Sequence, residues 1–254
     1  MAESLLLCAT RVLTFSAGQL LTAATAFFFR RGPSLYLVTS GHVLHDPASG
    51  HQPDRIEFLL HVDRDDLTRT QPVSLPLYVD GQAVWRQGTD SAGPVDIAVL
   101  PLQDASLPPR AVFQAFGPEH LLDSLGNLEI GALLLVVGFP LSFFDTVHQL
   151  PVARHATIAS AFGVRFQGQG YFLTDARLHR GASGAPVVAR DASLGSLPWR
   201  LLGVHSSRMD MAGRDGTMDE TLGLNAAWYA DMLLALTEPQ PLRPADARPR
   251  RAAA

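Results

Sequence analysis

Three short stretches of this chain carry residue types suited to acyl-transfer chemistry. The first is Leu37-Val38-Thr39-Ser40-Gly41-His42-Val43-Leu44, an apolar run, a small-residue turn and an imidazole. A general base needs such a mount, at the end of a rigid element and open on one side. The second, Val95-Asp96-Ile97-Ala98-Val99-Leu100-Pro101-Leu102, sets a carboxylate directly before an apolar strand. A carboxylate at the edge of a core is costly unless paired, and a nearby imidazole would pair it. The third is Arg180-Gly181-Ala182-Ser183-Gly184-Ala185-Pro186-Val187-Val188, one serine among small residues. Glycines let the backbone turn tightly and bring several N–H groups to bear on one point, as developing negative charge requires. Each stretch also has a plain structural reading: a polar strand end, an aspartate satisfied by turn amides, a glycine-rich turn. His45 gives an H-x-x-H spacing with His42, but no third ligand set accompanies it, so no metal site is expected.

The elements that must position these residues read mostly as strands. Leu5–Phe15, Leu20–Arg30 and Ser34–Ser40 are β-like runs broken by Ser16-Ala17-Gly18 and Arg31-Gly32-Pro33. Arg55–Val62, Val73–Val79 and Ile97–Leu102 continue the pattern, and Ala132–Gly138, Ala153–Ala161, Tyr171–Thr174, Pro186–Ala189 and Leu201–His205 repeat it. Continuous apolar runs such as Leu133–Val137 suit strands covered on both faces. Two segments read as helical: Leu107–Gly117 weakly, and Asn225–Leu236 with Ala227, Trp228, Met232, Leu233 and Leu236 on one face and Asn225 as cap. The simplest architecture is all-β, with two similar sheet units and a helix closing the end. The Pro/Arg/Ala-rich stretch at 237–254 is expected to be disordered.

The order His42, Asp96, Ser183 makes the resemblance specific. TSGHV, DIAVL and GASGAP, with Val137-Gly138-Phe139-Pro140 and Leu202-Gly203-Val204-His205-Ser206, resemble the bacterial trypsin-like (chymotrypsin-fold) serine peptidases. They are similar to the protease domain of the high-temperature-requirement enzymes. The resemblance covers about residues 5–236 and implies a peptidase domain over 1–236. It implies two antiparallel six-stranded β-barrels, about 1–110 and about 125–224, followed by a closing helix at about 225–236. His42, Asp96 and Ser183 would form the triad, with His42 and Asp96 from the first barrel and Ser183 from the second. The amides of Gly181 and Ser183 would form the oxyanion hole, and Ser206 would hydrogen-bond the triad aspartate.

Departures from the pattern are informative. Ala182 stands where relatives usually carry Asn or Asp, which implies no activation by a freed N-terminal amine. Ala185 replaces the usual glycine, and Ala24-Thr25-Ala26-Phe27 replaces Gly-Thr-Gly-Phe, a change expected to tighten local packing. Where trypsin has the acid that selects basic side chains, this chain has Arg177. His205 resembles the pocket histidine of Glu- and Gln-selective members of the fold, and Arg177, Arg180 and Arg208 would add positive charge there. A Glu or Gln preference on the acyl side of the cut is therefore expected, against the plain alternative that these arginines point to solvent and His205 packs structurally. The same residues also admit a peptide-binding module that keeps the fold without turnover, or an esterase using the same serine.

Composition narrows the field further. The chain has 254 residues, enough for a sizeable core without staples. All 20 residues counted as Lys+Arg are arginines, which excludes a Ser–Lys dyad, a Schiff-base lysine and a phosphate-loop lysine. A net charge of −4 gives no electrostatic footprint for nucleic acid. The single Cys8 excludes an internal disulfide and reads as a small buried hydrophobe. The N-terminus carries Glu3 and only a short apolar run, so neither signal peptide nor membrane span is expected. The expectation is a bacterial, cytoplasmic serine endopeptidase. It needs no cofactor, acts on a protein or peptide substrate, and is open to an activating protein partner.

Overall fold

The computed structural model describes residues 3–122, 128–209 and 222–238. The first unit contains β1 (Ala9–Ser16), β2 (Gln19–Arg31), β3 (Ser34–Thr39), a one-turn helix α1 (Gly41–Leu44), β4 (Arg55–His61), β5 (Thr70–Pro76), β6 (Tyr78–Val79), β7 (Gln82–Ala83), β8 (Arg86–Asp90) and β9 (Gly93–Leu102). Its antiparallel sheet has seven strands in the order β5-β4-β1-β2-β3-β9-β8, and β6 and β7 form a separate ribbon. The second unit contains β10 (Leu133–Gly138), β11 (Val152–Ile158), β12 (Tyr171–Asp175), β13 (Pro186–Arg190), β14 (Trp199–Arg208), β15 (Leu224–Tyr229) and α2 (Met232–Leu236). Its six strands close into a barrel, β10-β11-β12-β15-β14-β13. The all-β double-barrel class expected from the sequence is the class observed. The first unit's main sheet has seven strands rather than six, with the β6–β7 ribbon beside it.

Side-chain alternation explains why the strands read as continuous apolar runs. In β2, Ala26 and Phe28 join the first unit's own core, while Phe27 and Phe29 join a core shared between the units. β3 repeats this with Leu35 and Leu37 inside and Tyr36 and Val38 at the shared core. β9 does the same with Ala98 and Leu100 against Ile97 and Val99. Successive residues point to opposite faces, and here both faces are covered. The second barrel contributes Val137, Val188, Leu201, Val204 and Trp228 to the shared core. Burial of these side chains, at about 1.5–3 kcal/mol each, locks the two units at the seam where the three chemical motifs meet. Cys8 is fully buried in the same core, and burial pushes its thiol pKa up.

Both helix expectations need correction. Leu107–Gly117 is extended, apart from a turn at Pro108–Ala111, and it covers the first sheet. Val112 N–H donates to the His61 carbonyl (2.7 Å), Gln114 to Leu7 (2.9 Å) and Phe116 to Phe28 (3.0 Å). Pro108 and Pro109 remove the amides that a helix would need there. Within 225–236, only Met232–Leu236 is helical, and Leu224–Tyr229 is strand β15. Its small and aromatic residues are buried on both faces, so their apolar spacing does not distinguish the two periods. Asn225 caps nothing: its buried amide donates to the Ala176 carbonyl at 2.7 Å. The N-terminal strand begins at Ala9, after a 3-10 turn over Ser4–Cys8. The expected disordered stretch lies, from Pro239 on, outside the described residues.

Candidate active site

His42 projects from α1, the single turn that follows β3. Its backbone N–H donates to Asp96 Oδ1 (2.8 Å) and its ring Nδ1 meets Asp96 Oδ2 (2.7 Å). Holding one carboxylate by two points fixes both the ring plane and the proton on Nδ1, leaving Nε2 as the basic nitrogen. Burial lowers the His42 pKa, but the hydrogen bond and charge of Asp96, with a smaller contribution from Asp46, outweigh it and leave the pKa above its usual value. Gly41 lets the acid come this close: a Cβ there would lie 2.6 Å from Gln87 Nε2 and 3.1 Å from Asp96 Oδ1.

Asp96 lies within β9, not at its start. Gln87 pairs with Ala98 and Gly88 with Val95, so Asp96 and Ile97 form a bulge opposite β8. A bulge re-aims a side chain without ending the strand. A second bulge occurs in β14, where His205 pairs with Ala227 and Arg208 with Asn225. It carries Ser206, whose Oγ donates to Asp96 Oδ2 at 2.5 Å. Ser206 thus stands in hydrogen-bond contact with the carboxylate that holds His42.

Ser183 sits on the turn before β13, and its hydroxyl donates to the Ser206 carbonyl at 3.1 Å. A hydroxyl has one proton, so in this state it does not also donate to His42. Ser206 thus touches both halves of the site, through its carbonyl to Ser183 and its hydroxyl to Asp96. The Arg180 carbonyl accepts Leu141 N–H at 2.6 Å. A trans peptide holds its C=O and N–H antiparallel, so Gly181 N–H faces away from Leu141. Neither Gly181 nor Ser183 donates its amide to a protein acceptor among the described residues. Both are free for an anion, the arrangement that an oxyanion hole needs. Gly181 has φ +90°, and a Cβ there would lie 2.5 Å from the Phe139 carbonyl oxygen.

Two supports escaped the sequence reading. Thr25 Oγ1 donates to the Gly181 carbonyl (2.7 Å) and accepts Phe139 N–H (3.0 Å). Thr39 Oγ1 donates to the Thr25 carbonyl (2.8 Å), against which Gly184 packs so closely that a Cβ would lie 2.2 Å away. Both threonines lie in the sequence motifs, Thr25 in Ala24-Thr25-Ala26-Phe27 and Thr39 in the stretch before His42, but nothing local in either signals a contact to the other unit. Among the residues expected to bind substrate, His205 is buried, with Nδ1 lacking a partner, while Arg177 and Arg180 are exposed and Arg208 is half-buried. Burial, with smaller help from nearby His42 and against the pull of Asp96, pushes the His205 pKa down to about 3. His45 lies beside Trp85, ring centroids 6.4 Å apart.

The trypsin-like peptidase domain matches residues 24–195. The chain belongs to this family. The match includes His42, Asp96 and Ser183 and ends before His205 and Ser206. No curated protein matches the chain in sequence. Among solved structures, a serine endoprotease from Yersinia pestis is similar at a TM-score of 0.52 and 16% identity, over 91% of this chain and 61% of that one. The chain thus spans 61% of the length of the Yersinia protein. The inactive form of Mycobacterium tuberculosis Rv3671c, a serine-to-alanine variant, is similar at a TM-score of 0.50 and 16% identity, over 93% and 90% of the two chains. At this identity the likeness is one of fold.

Proposed function

We propose that this trypsin-like family member is a serine endopeptidase acting through His42, Asp96 and Ser183. The observation that carries the reading is Ser206, which accepts from the Ser183 hydroxyl and donates to the carboxylate that holds His42. On substrate arrival, rotation of Ser183 about χ1 transfers its proton donation from the Ser206 carbonyl to His42 Nε2. Ser183 Oγ then attacks the peptide carbonyl while His42 takes the proton and passes it to the leaving amine. Asp96 stabilises the imidazolium, and the Gly181 and Ser183 amides receive the oxyanion. One such amide is typically worth about 10²–10³ in rate. A proteinaceous substrate fits a site on the seam between two rigid units.

The reading includes a preference for Glu or Gln on the acyl side of the cut. His205 supports it: a neutral imidazole, buried close enough to His42 and Asp96 to feel their charge, with an unpartnered ring nitrogen. A side-chain oxygen of the substrate would satisfy that nitrogen. Arg177 and Arg180 are exposed, have no carboxylate partner among the described residues, and add positive charge.

The test is reaction of the full chain with a fluorophosphonate, the adduct being located by peptide mass spectrometry. One adduct on Ser183, absent in His42→Ala, is expected. No adduct in folded protein would overturn the reading. Equal cleavage of peptide libraries with Glu, Gln, Leu or Arg on the acyl side would remove the preference alone.

A further inference from the structure

The β1–β4 ladder ends early. It pairs Phe15 with Arg55 through to Val12 with Phe58, and beyond that the strands part. Thr10 Oγ1 donates to the Leu59 carbonyl (3.1 Å) where a backbone pair would otherwise continue. The gap opens a half-enclosed chamber of about 170 Å³. Leu7, Leu13, Phe28, Phe58, Phe113 and Phe139 give it an apolar lining. A closed apolar cavity of roughly 150 Å³ is enough to take a benzene ring.

The chamber is not purely apolar. Arg11, Glu57 and His61 reach it. Glu57 is already paired with Arg55 at 2.9 Å, and His61 Nε2 donates to the His148 carbonyl at 2.7 Å. Arg11 has no carboxylate partner among the described residues, and its Nε is buried without an acceptor. One unpaired guanidinium against an apolar wall is complementary to a monoanion with an apolar body. A dianion would exceed the charge available.

Arg11 also leads to the seam between the units. The same guanidinium donates through one Nη to Ser142 Oγ (3.2 Å) and lies over the Phe144 ring, 5.2 Å from the centroid. Leu141, directly before Ser142, supplies the N–H that holds the Arg180 carbonyl. Leu141 and Ser142 both adopt left-handed backbone, at φ 51° and 54°. Such non-glycine residues keep that conformation only where their surroundings hold it, and Arg11 is part of those surroundings.

We propose that the gap between β1 and β4 is an effector site for a small apolar monocarboxylate, its carboxylate held by Arg11. Occupancy fixes Arg11, and through Ser142 and Leu141 it holds the Arg180–Gly181 peptide in the orientation that leaves the Gly181 N–H free. The effector part rests on the active-site reading; the binding part does not.

The probe is hydrocinnamate, titrated calorimetrically into the full chain, with neutral hydrocinnamamide as the isostere. One hydrocinnamate per chain is expected, with the amide weaker by roughly tenfold or more, the loss of a charged hydrogen bond. Arg11→Gln should abolish the difference between the two. If that variant does not fold, Leu59→Trp, placed at the half-open mouth, should block both ligands instead. Binding should persist after Ser183 has been phosphonylated, which separates the chamber from the substrate cleft. Equal binding of acid and amide, or no binding to folded protein, overturns the site. Bound hydrocinnamate should speed phosphonylation of Ser183 several-fold, and binding without any change in that rate overturns the effector role. Binding in a protein that never labels leaves the chamber standing and removes the active-site reading.

Discussion

Thr25 on β2 ties the first unit to the Ser183 turn: its hydroxyl donates to the Gly181 carbonyl at 2.7 Å, and its backbone N–H donates to the Ser183 carbonyl at 3.0 Å. The side chain is fully buried. Thr25→Val keeps the shape and removes the hydroxyl, leaving the Gly181 carbonyl and the Phe139 N–H unpartnered. Unsatisfied buried groups cost about 1–3 kcal/mol each, so a lower melting temperature is expected. A nucleophile turn displaced by even a fraction of an ångström should also label about 10–100-fold more slowly. Thermal unfolding and a fluorophosphonate time course read the two effects. A variant with wild-type labelling would take Thr25 out of the site's support.

Gly184 and Gly195 make a matched pair. Both have positive φ, +83° and +61°. A Cβ on Gly184 would lie 2.2 Å from the Thr25 carbonyl oxygen and 2.3 Å from Thr39 Oγ1, whereas one on Gly195 meets nothing within 4 Å. Gly195, at ψ −123°, lies in the mirror-image β region that L residues rarely enter, so Gly195→Ala carries only backbone strain, about 1–3 kcal/mol. Gly184→Ala adds a collision with backbone, for a total of about 3 kcal/mol or more. Denaturant melts of the two variants side by side test this, and equal destabilisation would refute it.

Residue identity is what the sequence makes legible: His42, Asp96 and Ser183 stand out as candidates through their local motifs and their order, and Ser206 through the resemblance. What escaped was set by pairing between distant strands. Nothing local in Val95-Asp96-Ile97 announces a bulge, because the bulge exists only against β8. Thr25 reads as a strand threonine until Gly181 comes to it from the other unit. The helix expected over 225–236 failed for a similar reason. Ala226, Ala227 and Trp228 are buried on both faces by tertiary packing, which overrides an apolar spacing suited to either period.

Asp96 raises the His42 pKa against the lowering effect of burial. In the proposed mechanism His42 accepts a proton and must be neutral, so kcat/KM should fall as pH drops through a value above the ordinary histidine pKa. In Asp96→Asn the raising influence is gone and burial remains, so this acid limb should move to lower pH. The rate should also fall by about 10⁴, since an amide in this place can hold the wrong tautomer. A pH–rate profile with small ester substrates measures both. A limb that stays in place would show that Asp96 does not set the His42 charge.

His205 titrates in the opposite sense. Its folded pKa, about 3, lies below the ordinary value of 6.5 because of burial first and His42 second. The unfolded chain therefore binds a proton more readily between these values. The stability that this residue contributes is complete above about 6.5 and is lost as pH falls from there towards about 3. His205→Leu should flatten the acid side of the melting temperature–pH curve. Ring-nitrogen NMR shifts of the wild type should stay neutral where ordinary histidines gain charge. A His205 ring that titrates like an exposed one would remove the buried neutral imidazole on which the proposed Glu/Gln preference rests.

The chain's last described element returns to its first unit. Leu233 of α2 is fully buried in the shared core, with Phe27, Val95 and Ile97. Arg31 donates to the Leu234 carbonyl, Arg86 to that of Leu236 (3.1 Å), and Tyr36 to that of Thr237 (3.2 Å). These bonds cap carbonyls at the end of a short helix that is too brief to persist alone. Leu233→Ala removes the main apolar anchor and leaves a cavity, at about 2–5 kcal/mol. The helix helps clamp the second barrel onto β8 and β9, and β9 carries Asp96. Loosening it should therefore weaken the His42–Asp96 alignment as well as the fold. The expected result is a lower melting temperature together with slower Ser183 labelling at a temperature where the variant is still folded. Reduced stability with unchanged labelling would mean that the clamp serves the fold alone, and that β9 holds Asp96 without help from the end of the chain.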